Sequence, residues 1–254
     1  MNTMNFVKTL LQIIYQRILY AIDVDSISFI KKTKRNSKRM LDKYLNLKYT
    51  DVYLVRHADF NNKHLTGGWT DSDISESGKA QSMALGNHLR ENLKIDAFYC
   101  STLLRATHTA EIIAKYLNLP LFYVAEFRTI NNGVLKNRNQ AEVKKMKIEK
   151  FIEDPEYCIP GGESYHNFEM RVKKIFEDTI LQNKEKSVLI ITHARVIQTI
   201  LKQILQQSDD SKVRFGVYPT GVTNVRVYNN QSILISKIND TNHLTSDLMV
   251  SDVE

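Results

Sequence analysis

From about residue 51 onward, short apolar runs alternate with longer segments of helical period. Val52–Val55 is a continuous apolar run, the pattern of a strand buried on both faces. Ser77–Leu93 is helical by period, and Ala97–Cys100 reads as a second buried strand. A helix over Leu103–Leu117 stops before Pro120, and Leu121–Val124 follows as a third strand. Residues 134–158 are charged and helix-prone, an expected insert over one end of the sheet. Ser164 is a candidate N-cap for a helix over Tyr165–Leu181. Val188–Thr192 is the strongest strand pattern in the chain, with a helix expected at Val196–Leu205. Val222–Tyr228 and Ser232–Ile238 form a late pair around Asn229-Asn230. This alternation predicts an α/β fold, a three-layer sandwich with a mostly parallel central sheet and helices on both faces.

The first fifty residues do not follow that pattern. Residues 4–22 are amphipathic at helical spacing, with Phe6, Leu10, Ile13, Ile14, Ile18 and Leu19 on one side. Lys8, Gln12, Gln16 and Arg17 interrupt the run, which is shorter than the roughly 20 apolar residues a spanning helix needs. A helix packed on its own domain and a peripheral membrane contact both fit. Residues 31–39 (KKTKRNSKR) read as a solvated basic arm; without interleaved aromatics they do not suggest nucleic-acid binding. The expected organisation is a basic extension over 1–50, an α/β domain over 51–244 and a tail over 245–254.

Charge sharpens that division. Residues 1–50 hold ten Lys/Arg against three Asp/Glu, so the whole net charge of +7 lies there and the body is neutral. Two cysteines are too few for a disulfide framework, which suits a reducing, cytoplasmic setting. The sequons at Asn230 and Asn239 read as chance occurrences. Neither a GxGxxG nor a Walker loop occurs, so no nucleotide fold is indicated. His64, His88, His108, His166 and His243 show no metal-ligand spacing, and no metal or cofactor is expected.

The candidate chemistry lies at strand ends, where functional groups gather in doubly wound sheets. Val55 is followed by Arg56-His57. Cys100 is followed by Ser101 and, on the next helix, Arg105. Thr192 is followed by His193. Taken singly, each is a common loop or helix residue; together, two histidines and two arginines at one sheet edge suit phosphoryl transfer. A neutral imidazole is a nucleophile toward phosphorus, and nearby guanidinium groups disfavour its protonated form. The same guanidiniums bind phosphate oxygens bidentately. Backbone N–H groups at the helix start after His193, beginning with Ala194, add donors.

These residues belong to a longer ordered set. It runs from Leu54-Val55-Arg56-His57 through Gly67–Ser75, Gly78 and Ser101–Ala106 with Thr109-Ala110. It continues through Gly161–Ser164 with Arg171, Ile191-Thr192-His193, and Asn239-Asp240-Thr241 before His243-Leu244. In that order they resemble the histidine phosphatase superfamily, which includes the cofactor-dependent phosphoglycerate mutases, over about residues 51–244. The resemblance implies a phosphoglycerate mutase-like fold. It implies His57 as the residue phosphorylated, with Arg56, Arg105 and His193 completing the phosphate pocket. Asn61 or Asn62 would match a phosphate-contacting Asn, and Gly67 and Gly68 would bring backbone N–H groups to the substrate. Glu163 and Ser164 would start and brace a helix. Trp69 either lines the pocket or pins its loop.

The chain departs from the family at three positions. Ala58 and Ala194 stand where Gly usually follows each histidine, which a negative φ would tolerate. Thr129 stands where the family commonly supplies a general-acid Glu, leaving Glu126 and Asp59 as candidate acids. The leading expectation is a metal-independent phosphatase hydrolysing phosphomonoesters, acting on a phosphorylated small molecule or phosphoprotein through phosphohistidine. A mutase-type phosphotransferase and a non-catalytic phospho-ligand binder are the alternatives. A leaving group of low pKa would need little protonation.

Overall fold

The computed structural model describes residues 47–146, 154–208 and 211–249. The expected amphipathic helix over 4–22, the basic arm and the end of the tail lie outside these residues. In order, the elements are β1 (Tyr49–Arg56), α1 (Glu76–Asn92), β2 (Ala97–Cys100), α2 (Leu104–Leu117), β3 (Leu121–Tyr123), α3 (Gln140–Lys145), α4 (Tyr165–Gln182), β4 (Ser187–Thr192), α5 (Ala194–Ile204), β5 (Val222–Tyr228) and β6 (Ile233–Asp240). Short 3₁₀ turns at Ala125–Phe127 and Gly133–Leu135 lie between β3 and α3.

The six strands form one sheet in the order β3-β2-β4-β1-β5-β6. β1 pairs with β4 in parallel, as does β2 with both β3 and β4. β5 is antiparallel to β1 and to β6, so the sheet is mixed at the end that the late pair supplies. That refines the expectation of a mostly parallel sheet. A connection as short as residues 229–232 joins antiparallel neighbours, whereas parallel neighbours need a long crossover.

Both faces are covered. Val52 and Leu54 of β1 pack with Val188 and Ile190 of β4 against Phe168, Val172 and Phe176 of α4 and the α5 face around Ile197. The alternate residues, Val55, Leu189 and Ile191, pack with Phe98 against Leu85 and Leu89 of α1 and Ala106, Ala110 and Ile113 of α2. Alternate residues point to opposite faces, so two covered faces make the β1 and β4 runs apolar throughout.

The caps fall where the side chains dictate. Ser75 accepts from Gly78 N at the start of α1, and Ser164 accepts from Asn167 N at the start of α4. α5 begins two residues earlier than its apolar pattern suggests, with His193 in extended conformation at its N-cap. Among its described residues the insert supplies one short helix, α3; residues 147–153 lie outside those described.

One register detail positions the site. Arg56 pairs with Thr192, so β1 and β4 end level, and His57 N donates to Thr192 O at 2.8 Å. Ser101 N donates to Ile191 O at 2.9 Å, bringing the end of β2 to the same edge. His57, Ser101 and His193 are thereby fixed by the central ladder.

Candidate active site

His57, Arg105 and His193 meet beyond these strand ends and line one cavity of about 750 Å³. All three are at most 4% exposed. The two imidazole centroids are 5.1 Å apart. Arg56, fully buried beside them, donates Nη1–H to Val217 O at 2.7 Å.

His57 is held in one orientation. Its Nδ1 lies 2.8 Å from Ala58 O, and Arg105 Nε–H donates to its Nε2 at 3.1 Å. A carbonyl only accepts, so Nδ1 carries the proton and Nε2 the lone pair. Phe60 packs edge-on against the ring at 5.4 Å. Burial holds His57 neutral, well below its ordinary 6.5, and the positive charges of Arg105 and Arg56 push the same way. His193 is also held well below 6.5, again by burial first and Arg105 second.

His193 Nε2 lies 2.8 Å from Ser101 Oγ, and its buried Nδ1 has no hydrogen-bond partner among the described residues. If Ser101 donates its hydroxyl proton to Nε2, the remaining ring proton sits on Nδ1 as a donor. Arg105 is anchored by Thr70 O at 2.8 Å and Gly68 O at 2.9 Å. Gly68 has φ +60, and a Cβ there would lie 2.4 Å from the Asn132 side chain, so this loop requires glycine. Gly68 thus presents a carbonyl to Arg105 and also lines the cavity. Gly67 lines the cavity beside it.

The two alanines fit. Neither Ala58 nor Ala194 has a positive φ, and both are buried. Ala58 O holds His57, Ala58 N donates to Thr109 Oγ1 at 3.0 Å, and Ala194 opens α5 behind His193.

Four expected site residues lie elsewhere. Asp59 accepts from Ser75 Oγ at 2.7 Å and pairs with Lys63 at 2.5 Å, and its backbone O accepts from Ser75 N. Its carboxylate braces the start of α1 and does not line the cavity. Glu126 is exposed on the Ala125–Phe127 turn, away from the lining, because that turn ends by burying Phe127 instead. Asn61 is exposed and ties its Nδ2 to Ile74 O at 3.2 Å. Asn62 is exposed at φ 60 in the turn closed by Leu65 N. Thr129 itself lines the cavity, so the position where the family places its acid is in the site but carries a hydroxyl.

The loop around Thr129 is clamped from below. Arg171 forks onto Glu163 at 2.6 and 3.2 Å and donates to Glu126 O and Arg128 O. Glu163 also accepts from Asn131 N at 2.8 Å, in keeping with the bracing expected of it. Trp69 pins its loop: Nε1–H donates to Thr129 O at 2.8 Å, and Arg128 stacks on the ring at 4.7 Å. The cavity wall also contains residues that no motif marks, among them Phe60, Tyr157, Tyr165, Arg195 and Arg214. Arg195 had a weak signal, standing two residues beyond His193; Arg214 had none.

Among the described residues no three His, Cys, Asp or Glu side chains converge as metal ligands, and no helix is long and apolar enough to cross a membrane. The chain is 29% identical over 198 residues to a 2,3-bisphosphoglycerate-dependent phosphoglycerate mutase of Bartonella henselae, covering 73% of this chain and 96% of that one. It is 28% identical over 221 residues to a metal-independent phosphoserine phosphatase of Arabidopsis thaliana, covering 84% and 91%. Among solved structures, YhfR of Bacillus stearothermophilus superposes with a TM-score of 0.68 at 26% identity, covering 76% of this chain and 98% of that one. The profile of the histidine phosphatase superfamily (branch 1) matches residues 52–241, and the chain belongs to that family.

Proposed function

We propose that this chain is a metal-independent phosphatase that hydrolyses phosphomonoesters through a phosphohistidine on His57. The observation that carries the reading is the buried neutral His57, with its Nε2 lone pair turned toward Arg105 and its other nitrogen fixed on Ala58 O. A phosphate oxygen competes for the Arg105 guanidinium, frees that lone pair and takes the charge-assisted bond in its place. Nε2 then attacks phosphorus, the bond from phosphorus to the ester oxygen breaks, and that oxygen leaves with the electron pair. Arg56 and Arg105 offset the charge spread over the phosphoryl oxygens, and His193 Nδ1–H donates to one of them. Water then attacks the phosphohistidine, the P–N bond breaks, and the electron pair returns to Nε2. The proton lost by water leaves with phosphate or solvent.

Thr129 gives the reading a direction. A hydroxyl cannot serve as the general acid, so substrates with leaving groups of low pKa are favoured. Thr129 also weighs against mutase activity, although several relatives are named as phosphoglycerate mutases; a coupled 3-phosphoglycerate assay separates the two.

The test is hydrolysis of p-nitrophenyl phosphate in EDTA by wild type and His57→Ala. Wild type should turn over and form an acid-labile phosphoenzyme, and the variant should do neither. Equal rates in the two proteins would refute the reading. Phosphate binding without turnover or phosphoenzyme would favour a ligand-binding protein.

A further inference from the structure

The reaction described above uses only the deep end of the cavity. Two arginines on its wall have no part in it. Arg195 sits in the first turn of α5, two residues beyond His193, and Arg214 lies on the segment leading to β5. Both are exposed and line the cavity, and the side chain of neither makes a hydrogen bond or ion pair among the described residues.

Their backbones are not loose. Gln198, one turn after Arg195, donates Nε2–H to Phe215 O at 2.9 Å, next to Arg214. Two residues further on, Val217 O accepts from Arg56 Nη1 at 2.7 Å. The Arg214 segment is therefore tied on one side to the helix that carries Arg195 and on the other to the buried arginine of the phosphate pocket.

Among the described residues no carboxylate that lines the cavity forms an ion pair with these two cations. Glu163 pairs with Arg171, and Asp154 accepts from Glu156 N. Two guanidiniums facing one concavity repel each other and are relieved by an anion, which each can bind bidentately.

We propose that Arg195 and Arg214 form a second anion site, so that the substrate is a phosphomonoester carrying a second anionic group, a carboxylate or another phosphoryl group. The inference rests on the reading of His57 as the phosphate-accepting end. The cavity lining also includes Phe215, Ile130 and Ile159, which suits an apolar or aromatic body joining the two anions.

Nonhydrolysable phosphonates test this by calorimetry on the full-length protein. Three series of graded chain length are compared: alkylphosphonates, phosphonoalkanoates and alkane bisphosphonates. At least one doubly anionic compound should bind about tenfold more tightly than the alkylphosphonate of equal length, as a charged hydrogen-bonded contact gives. The carboxylate and phosphonate arms show which second anion is preferred. In the doubly substituted Arg195→Gln, Arg214→Gln protein the ratio should fall to about one, with cooperative thermal unfolding retained as the folding control. A ratio near one in wild type at every length, or one that survives both substitutions, overturns the proposal. If the ratio holds but p-nitrophenyl phosphate is not hydrolysed, the second site stands and the phosphatase reading fails.

Discussion

The floor of the cavity and its wall are built differently. The floor takes His57, Ser101 and His193 from the ends of three adjacent strands, each pinned to the next by ladder hydrogen bonds, and Arg105 from the helix that follows one of them. The wall takes Thr129 and Glu163 from loops, Arg195 from a helix start, and Arg214 from an irregular segment. On the floor every side chain is buried and its orientation is over-determined. On the wall the arginines are exposed, and loops around them can change without disturbing the sheet. Floor and wall are thus separated in space, and a wall of loops can vary over a fixed floor.

The largest effect should come from the floor. Arg105→Ala removes the guanidinium that faces His57 and frees the carbonyls of Gly68 and Thr70. A loss of about 10²- to 10³-fold in kcat/KM for p-nitrophenyl phosphate is expected. A loss below about tenfold would place phosphate recognition elsewhere.

Ser101→Ala removes the group facing His193 Nε2. The imidazole then no longer has its tautomer selected, and a fall of about tenfold in kcat is expected with KM less affected. Ser101→Thr should restore most of it. If KM rises alone, Ser101 acts on binding instead.

The buried histidines set the pH response of the fold. His57 and His193 resist protons that the unfolded chain accepts at 6.5, and burial and His88 hold His243 down to about 4. The unfolded state binds more protons below 6.5, so stability rises with pH through that window and is lost on acidification. The expected slope is about 1.4 kcal/mol per pH unit for each fully buried histidine within its window. Thermal unfolding at graded pH checks it, and His57→Asn should flatten the curve. A midpoint that rises on acidification would contradict these protonation states.

The smallest effect should come from Glu126→Gln. This exposed carboxylate is absent from the cavity lining, so rates for aryl and alkyl phosphates should stay within about twofold of wild type. A selective loss on alkyl phosphates would restore Glu126 as the acid and weaken the contrast between wall and floor.

Most of the floor was legible in the chain because it is local. Apolar runs of four to six residues followed at once by Arg56-His57, Ser101 and His193 announce both the strand and what stands at its end. The acid candidates were not legible in this way. Asp59 is two residues from the nucleophile yet turns to Ser75 and Lys63, and Glu126 is three residues from Thr129 yet faces out. Proximity in sequence says little where the chain leaves regular structure, because turn geometry then decides direction. Arg214 shows the converse, being far in sequence from every motif and brought to the cavity by the Gln198–Phe215 clamp.

The sequence by itself determined the order of strands and helices, the two-sided burial of the central strands and the gathering of Arg56, His57, Arg105 and His193 at one sheet edge. The hydrophobic period and the residues at strand ends carry that information directly. Only the tertiary structure decided the mixed direction of the sheet, the fixed orientation of His57, the turning of Asp59 and Glu126 away from the cavity lining, and the placing of Arg195 and Arg214 along one cavity. Each of these depends on hydrogen bonds between segments distant in the chain, and such bonds form only once the layers have packed.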